Sequence, residues 1–139
     1  MLRKEIVVID GQGGGIGCSL IETIKKTFPD LFVIAVGTNA VATSNMLKSG
    51  ANVGATGENA VIYNANNAKI IIGPLGIAFA NAMYGEISPD MAQAVTLSKA
   101  NKILIPVSKC PAVIVGIHQR TISEYIEECI EILQNFINE

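Results

Sequence analysis

One segment constrains the fold of this chain more than any other: Asp10-Gly11-Gln12-Gly13-Gly14-Gly15-Ile16-Gly17-Cys18-Ser19. Five glycines fall within residues 11–17, after the β-branched run Glu5-Ile6-Val7-Val8-Ile9-Asp10. That run is apolar without alternation, which suits a strand covered on both faces, as in a parallel sheet. After the glycines, Ile16–Thr27 reads as a helix. Ile16, Leu20, Ile21 and Ile24 share one of its faces. Lys25 and Lys26 stand in its last turn, where cations suit the negative end of the dipole. Strand, glycine turn and helix in that order open a βαβ unit. Glycines let the backbone turn sharply and approach a ligand closely, and a helix start offers free N–H groups with partial positive charge. The expected guest is a phosphate or a carboxylate.

The same alternation continues along the chain. Further strands are expected at Leu31–Val36, Ala68–Ile72, Lys102–Val107 and Ala112–Ile117. Helices are expected over Ala40–Lys48, briefly over Glu58–Asn64 and Ile77–Met83, from Pro89 to about Lys99, and over Thr121–Phe136. Ser88 with Pro89 and Asp90 forms a strong helix start, and Thr121 with Glu124 a capping box. Ala51–Gly57 reads as loop. The whole predicts a doubly wound α/β fold, Rossmann-like or flavodoxin-like, with five strands in a single domain spanning 1–139. Only Ser108-Lys109-Cys110-Pro111 separates the last two expected strands. A parallel crossover needs about a dozen residues, so the last strand is expected to run antiparallel.

In open α/β sheets ligands sit beyond the carboxyl ends of the strands, where strand order reverses. Three loops there are rich in small residues: Gly11–Gly17, Gly37-Thr38-Asn39 and Gly73-Pro74-Leu75-Gly76. A 2-1-3-4-5 order sets the first and third against each other. A 3-2-1-4-5 order puts the crevice between the first loop and the fourth. The second glycine loop favours the former.

G-x-x-x-G-x-G fits Gly11, Gly15 and Gly17, which resembles the cofactor loop of short-chain dehydrogenases; G-x-G-x-x-x-G fits Gly11, Gly13 and Gly17 equally. That family's Tyr-x-x-x-Lys pair is missing, since Asn67, Ser88 and Cys129 follow the three tyrosines at that spacing. The acid expected at the end of strand two for a ribose is replaced by Gly37-Thr38-Asn39. Gly13–Ser19 is also similar to the loop of the deviant Walker ATPases, but Cys18 and Gln12 stand where its lysines belong. Without them phosphoryl transfer is disfavoured. As a whole the chain resembles a small family of bacterial Rossmann-like proteins of about this length. Its hallmarks are the Gly11–Gly17 loop (GQGGGIG) and Ile72-Gly73-Pro74-Leu75-Gly76. The family has no established function, so the resemblance implies the fold and little more.

Other residues point to a site less strongly. Asp10 ends strand one and is expected to accept hydrogen bonds from the glycine-loop amides, with magnesium binding or base chemistry as the alternatives. Asn64, Asn66 and Asn67 read as turn residues; Asn81 is a further amide able to read a polar ligand. Cys18 and Cys110 fall near the same expected edge; Cys129 belongs to the apolar stripe of the last helix. His118, the one histidine, is expected at the edge opposite the glycine loop, as a surface or helix-entry residue. No metal-ligand spacing and no nucleophile–histidine–acid order is present.

Composition removes whole classes. A net charge of −2 without charge blocks argues against nucleic acid and anionic membrane as partners. No apolar run reaches the ~18 residues of a membrane helix. Three cysteines do not make a disulfide scaffold, and Met1-Leu2-Arg3-Lys4 opens no secretory leader, so a cytoplasmic setting is expected. The leading expectation is a nucleotide- or dinucleotide-binding protein, NAD(P) or another nucleotide being the cofactor, with its phosphate on loop 11–17. The alternative is a non-catalytic sensor or accessory module for a small anionic metabolite or a protein partner. A homodimer is expected, and no reaction is assigned.

Overall fold

Ile6–Asp10, the first strand β1, is buried from end to end. Ile6 and Val8 face one side of the sheet, and Val7 and Ile9 the other. Unbroken apolarity is therefore what two covered faces require. This computed structural model describes residues 5–107 and 112–139. The other strands are β2 (Val33–Gly37), β3 (Val53–Thr56), β4 (Ile70–Pro74) and β5 (Asn101–Ile105). All adjacent pairs are parallel, in the order β3-β2-β1-β4-β5.

Among the described residues five helices cover the sheet: α1 (Gly15–Thr27), α2 (Ala40–Lys48), α3 (Glu58–Asn67), α4 (Pro89–Leu97) and α5 (Ile122–Ile137). Leu20 and Ile24 of α1, Met46 of α2 and Cys129 and Leu133 of α5 pack on one face. Val61 of α3 and Val95 of α4 pack on the other. The helix starts follow the sequence. Ser88 caps α4, and Thr121 and Glu124 close the capping box of α5. Among the described residues no helix is long and apolar enough to cross a membrane.

Three expectations need correction. Ala112–Ile117 is not an antiparallel strand. Val113 and Val115 are 95% and 96% exposed there, and the chain returns along the sheet as α5. Apolar β-branched residues make a strand only where an edge offers hydrogen-bond partners. The outer side of β5 instead borders a cavity of about 270 Å³ that Gly116, Ile117 and His118 share with α5. The fifth strand is β3, inside the stretch read as loop. It is a four-residue edge strand, mostly exposed, so it lacks the apolar signal of its neighbours. Its Gly54 lets α2 come close, because a Cβ there would lie 2.9 Å from Thr43 Cγ2. His118 accordingly does not reach the far edge through an antiparallel strand. It is exposed on the way into α5, its carbonyl accepting from the Tyr125 hydroxyl at 3.2 Å.

Two smaller differences follow from local geometry. Asn64 lies inside α3 and Asn67 is its last residue, their amides donating to the carbonyls of Ala60 and Tyr63 at 2.8 Å each, so the helix runs past Asn64 before it ends. Ile77–Met83 forms only a short 3-10 helix, Leu75–Ala78, because Asn81 and Met83 adopt positive φ and break it.

With β3 added at one edge, the four strands read from the sequence keep the order β2-β1-β4-β5. The chain winds outward from β1 through β2 to β3, then crosses to β4. The reversal lies between β1 and β4, which sets the loop after β1 against the loop after β4.

Candidate functional site

The turn after β1 is built by its glycines and by Asp10. The Gly14 amide donates to the Gly11 carbonyl at 2.9 Å, closing the turn with Gln12 at φ 52°. Gly14, at φ 74°, is the N-cap of α1 and has no side chain with which to cap it. Asp10 is buried beneath the turn. One carboxylate oxygen accepts from the Gly11 amide at 2.7 Å and the other from the Gly17 amide at 2.8 Å. This is the role expected for it. Burial raises its pKa above the ordinary carboxylate value; the Gly17 and Gly11 amides oppose that rise, and the charge of Glu86 adds to it.

The five glycines of the turn fall into two groups. Gly11, Gly14 and Gly17 each have a reason within the fold. A Cβ on Gly11 would lie 2.6 Å from Met83 Sδ, and one on Gly17 would lie 2.5 Å from Met46 Sδ. Gly14 has left-handed backbone, which side chains resist. Gly13 and Gly15 have neither reason. Their φ angles are not left-handed, and a Cβ on either would meet nothing within 4 Å. Among the described residues, no protein acceptor takes their amide hydrogens.

Both open onto a groove of about 670 Å³ at the reversal of strand order. Asp10, Gly11, Gln12, Gly13, Gly14, Gly15 and Ile16 form one side. Pro74, Gly76, Asn81, Ala82, Met83 and Tyr84 form the second, with Val107 and Ile122 at the end. Gly76 is another glycine of the second group, its nearest neighbours 3.6 Å from a built Cβ. The remaining sequence candidates stand behind the groove or beside it. Gly17 and Gly73 are buried in packing, where a Cβ on Gly73 would lie 2.4 Å from the Ile9 carbonyl oxygen. Leu75, Cys18 and Ser19 are half-buried and outside the lining.

Gly37, the last residue of β2, and Thr38 and Asn39 after it also lie outside the lining. Asn39 caps α2, accepting from the Ala42 amide at 2.9 Å. Its own amide donates to the Gln12 carbonyl at 2.9 Å and to Glu86 Oε1 at 2.8 Å. The same Glu86 oxygen accepts from the Thr38 hydroxyl and from the Gln12 amide, the latter at 2.9 Å. Burial works to raise the pKa of Glu86, but the hydrogen bonds from Thr38, Gln12 and Asn39 outweigh it and hold the pKa below the ordinary value. Sequence reading missed Glu86, which makes no local pattern, and missed Tyr84, Val107 and Ile122.

The cysteines do not form a common centre among the described residues. Cys129 is core, its thiol pushed up to about 11 by burial, and the expected nearness of Cys18 to Cys110 involves a residue outside those described. Among the described residues no group of three His, Cys, Asp or Glu is placed to hold a metal ion.

Comparison with known proteins adds three findings. The model of a domain family of unknown function, DUF3842, matches residues 5–138. No curated protein matches the sequence. Among solved structures, the crystal structure of a dodecameric FMN-dependent UbiX-like decarboxylase from Escherichia coli O157:H7 is similar at 14% identity and a TM-score of 0.44. The similarity covers 96% of this chain and 94% of that one.

Proposed function

The chain belongs to the DUF3842 family, and we propose that it binds a phosphate-bearing small molecule, a nucleotide or dinucleotide, in the groove between the β1 and β4 loops. The phosphate sits on the free amides of Gly13 and Gly15 at the start of α1. One observation carries this reading: Gly13, Gly15 and Gly76 line the same groove, and neither backbone angle nor packing requires glycine at any of them. Where the backbone is not left-handed, glycine is less favourable than alanine by roughly 0.4–1 kcal/mol because it has more freedom to lose on folding, so Gly15 at the first helical position weakens the fold without a structural return. Close approach of a ligand to the backbone supplies the reason. An apolar far wall, with Val107, Ile122 and Pro74, suits a ring system attached to that phosphate. Among the described residues lining the site, none has a chemistry that names a reaction.

Thermal denaturation with inorganic phosphate, AMP, FMN, NAD and FAD tests the reading. A ligand at 100 times its dissociation constant adds about 2.7 kcal/mol of stability. Gly15→Ala is expected to fold normally and lose that gain; a Gly15→Ala protein that keeps it removes the glycine loop from the site.

The expected homodimer has its own support. Val113 and Val115 project into solvent from the segment that leads into α5, and Ile114 and Ile117 are 41% and 42% exposed. A second copy would bury them. Sedimentation at micromolar concentration gives a dimer on this reading and a monomer against it. With Cys18 and Cys129 present as free thiols, we also propose a reducing, cytoplasmic setting.

A further inference from the structure

The loop after β4 does not stay on its own side of the sheet. From the 3-10 helix it passes the end of β1 and delivers Glu86 to the end of β2, where it meets Thr38 and Asn39. The crossing needs unusual backbone: Asn81, Met83 and Tyr84 have φ of 67°, 58° and 56°, followed by Gly85 at 89°. Side chains resist that region, so the conformation persists only where surrounding contacts impose it. Here the Asn81 amide donates to the Ile87 carbonyl at 2.6 Å, the Gly85 amide donates to the Asn81 carbonyl at 3.1 Å, and Ile87 is fully buried.

The crossing fills a place that a dinucleotide site keeps open. In doubly wound folds a dinucleotide straddles the crevice with its phosphates at the first helix, and an acid near the end of the second strand holds one ribose. Here every side chain at that strand end is engaged within the protein. Thr38 donates to Glu86; Asn39 donates to Glu86 and Gln12 and accepts from Ala42. The acid that is present, Glu86, spends one oxygen on three donors. Met83 lies so close that a single methyl on Gly11 would collide with it. On the β4 side the groove stays open, and Tyr84 stands at its lip, 93% exposed.

We propose that Glu86 and Met83 close the β2 half of the crevice, so that the groove takes a mononucleotide and discriminates against dinucleotides. This rests on the phosphate reading above. The single phosphate lies on Gly13 and Gly15, and the ring lies toward β4, against Tyr84. In a dinucleotide the second nucleotide extends from that phosphate toward Met83 and the Glu86 carboxylate. It meets a filled cleft and a like charge.

Calorimetric titration of the full chain with two matched pairs, AMP against NAD and FMN against FAD, tests this, because each dinucleotide contains its mononucleotide. The mononucleotide of at least one pair is expected to bind roughly tenfold or more tightly than its dinucleotide. Glu86→Ala and, independently, Met83→Ala are expected to narrow that ratio, so failure of one variant to fold leaves the other. Equal affinity within both pairs overturns the inference while the phosphate reading stands. A preference unchanged by both substitutions overturns the assignment to Glu86 and Met83. No binding by any nucleotide, with inorganic phosphate still stabilising the protein, also overturns it alone; no response even to phosphate removes the reading beneath it as well.

Discussion

The two flanks of the glycine turn are treated in opposite ways. On the β2 flank Glu86 gathers the Gln12 amide, the Thr38 hydroxyl and the Asn39 amide, and Met83 packs against Gly11. Toward the groove the amides of Gly13 and Gly15 find no protein acceptor among the described residues, and a Cβ on either would meet nothing within 4 Å. One short loop thus combines a satisfied hydrogen-bond cluster with an unsatisfied one. Buried donors are paired almost without exception in folded proteins, whereas exposed ones are left to water or to a ligand. The difference between the flanks separates donors that the protein satisfies itself from donors left to water or to the proposed ligand.

Substitutions that treat the glycines alike should expose this difference. Gly73→Ala, which drives a Cβ to 2.4 Å from the Ile9 backbone oxygen, is expected to lose about 3 kcal/mol of stability, since backbone in a parallel sheet cannot yield. Gly11→Ala, on the finished flank, is expected to lose about 2 kcal/mol, because Met83 moves more readily than a strand. Gly15→Ala, on the open flank, is expected to gain roughly 0.5 kcal/mol in the free protein and to lose ligand stabilisation. Urea denaturation ranks all three. A Gly15→Ala loss as large as that of Gly11→Ala ends the distinction.

The two carboxylates sharpen the comparison through pH. Asp10 has a raised pKa, so the folded state favours its protonated form. The stability this adds is present below the ordinary carboxylate pKa and is lost as pH rises through the raised value. Glu86 has a lowered pKa. Its contribution is present above the ordinary value and is lost as pH falls through the lowered one. Wild type is therefore expected to lose stability relative to Asp10→Asn as pH rises from 3 to about 7. Relative to Glu86→Gln it is expected to gain over the acidic part of that range. Parallel pH curves for either pair would show that the carboxylate in question titrates as it does in the unfolded chain.

Much of this architecture was legible because its signals are local. The unbroken apolar run Ile6–Ile9 announced a strand covered on both faces, and the turn after it announced a helix start with Asp10 beneath. Ser88, Thr121 and Glu124 marked two helix ends that the structure keeps. Signals failed where a residue's state depends on what lies next to it in space. Val53–Thr56 carries little apolar character and is nonetheless a strand, because β2 offers an edge. Ala112–Ile117 is apolar and β-branched, and no strand forms there.

The amino-acid sequence by itself determined the α/β alternation, the position of the glycine turn and the place of Asp10 beside it. Each follows from the preferences of neighbouring residues along the chain. Tertiary structure alone decided which glycines are spare. The presence or absence of a neighbour at Gly11, Gly13 and Gly15 is a property of distant segments. It alone brought Glu86 to Gln12 across 74 residues, because no local preference encodes a contact at that separation.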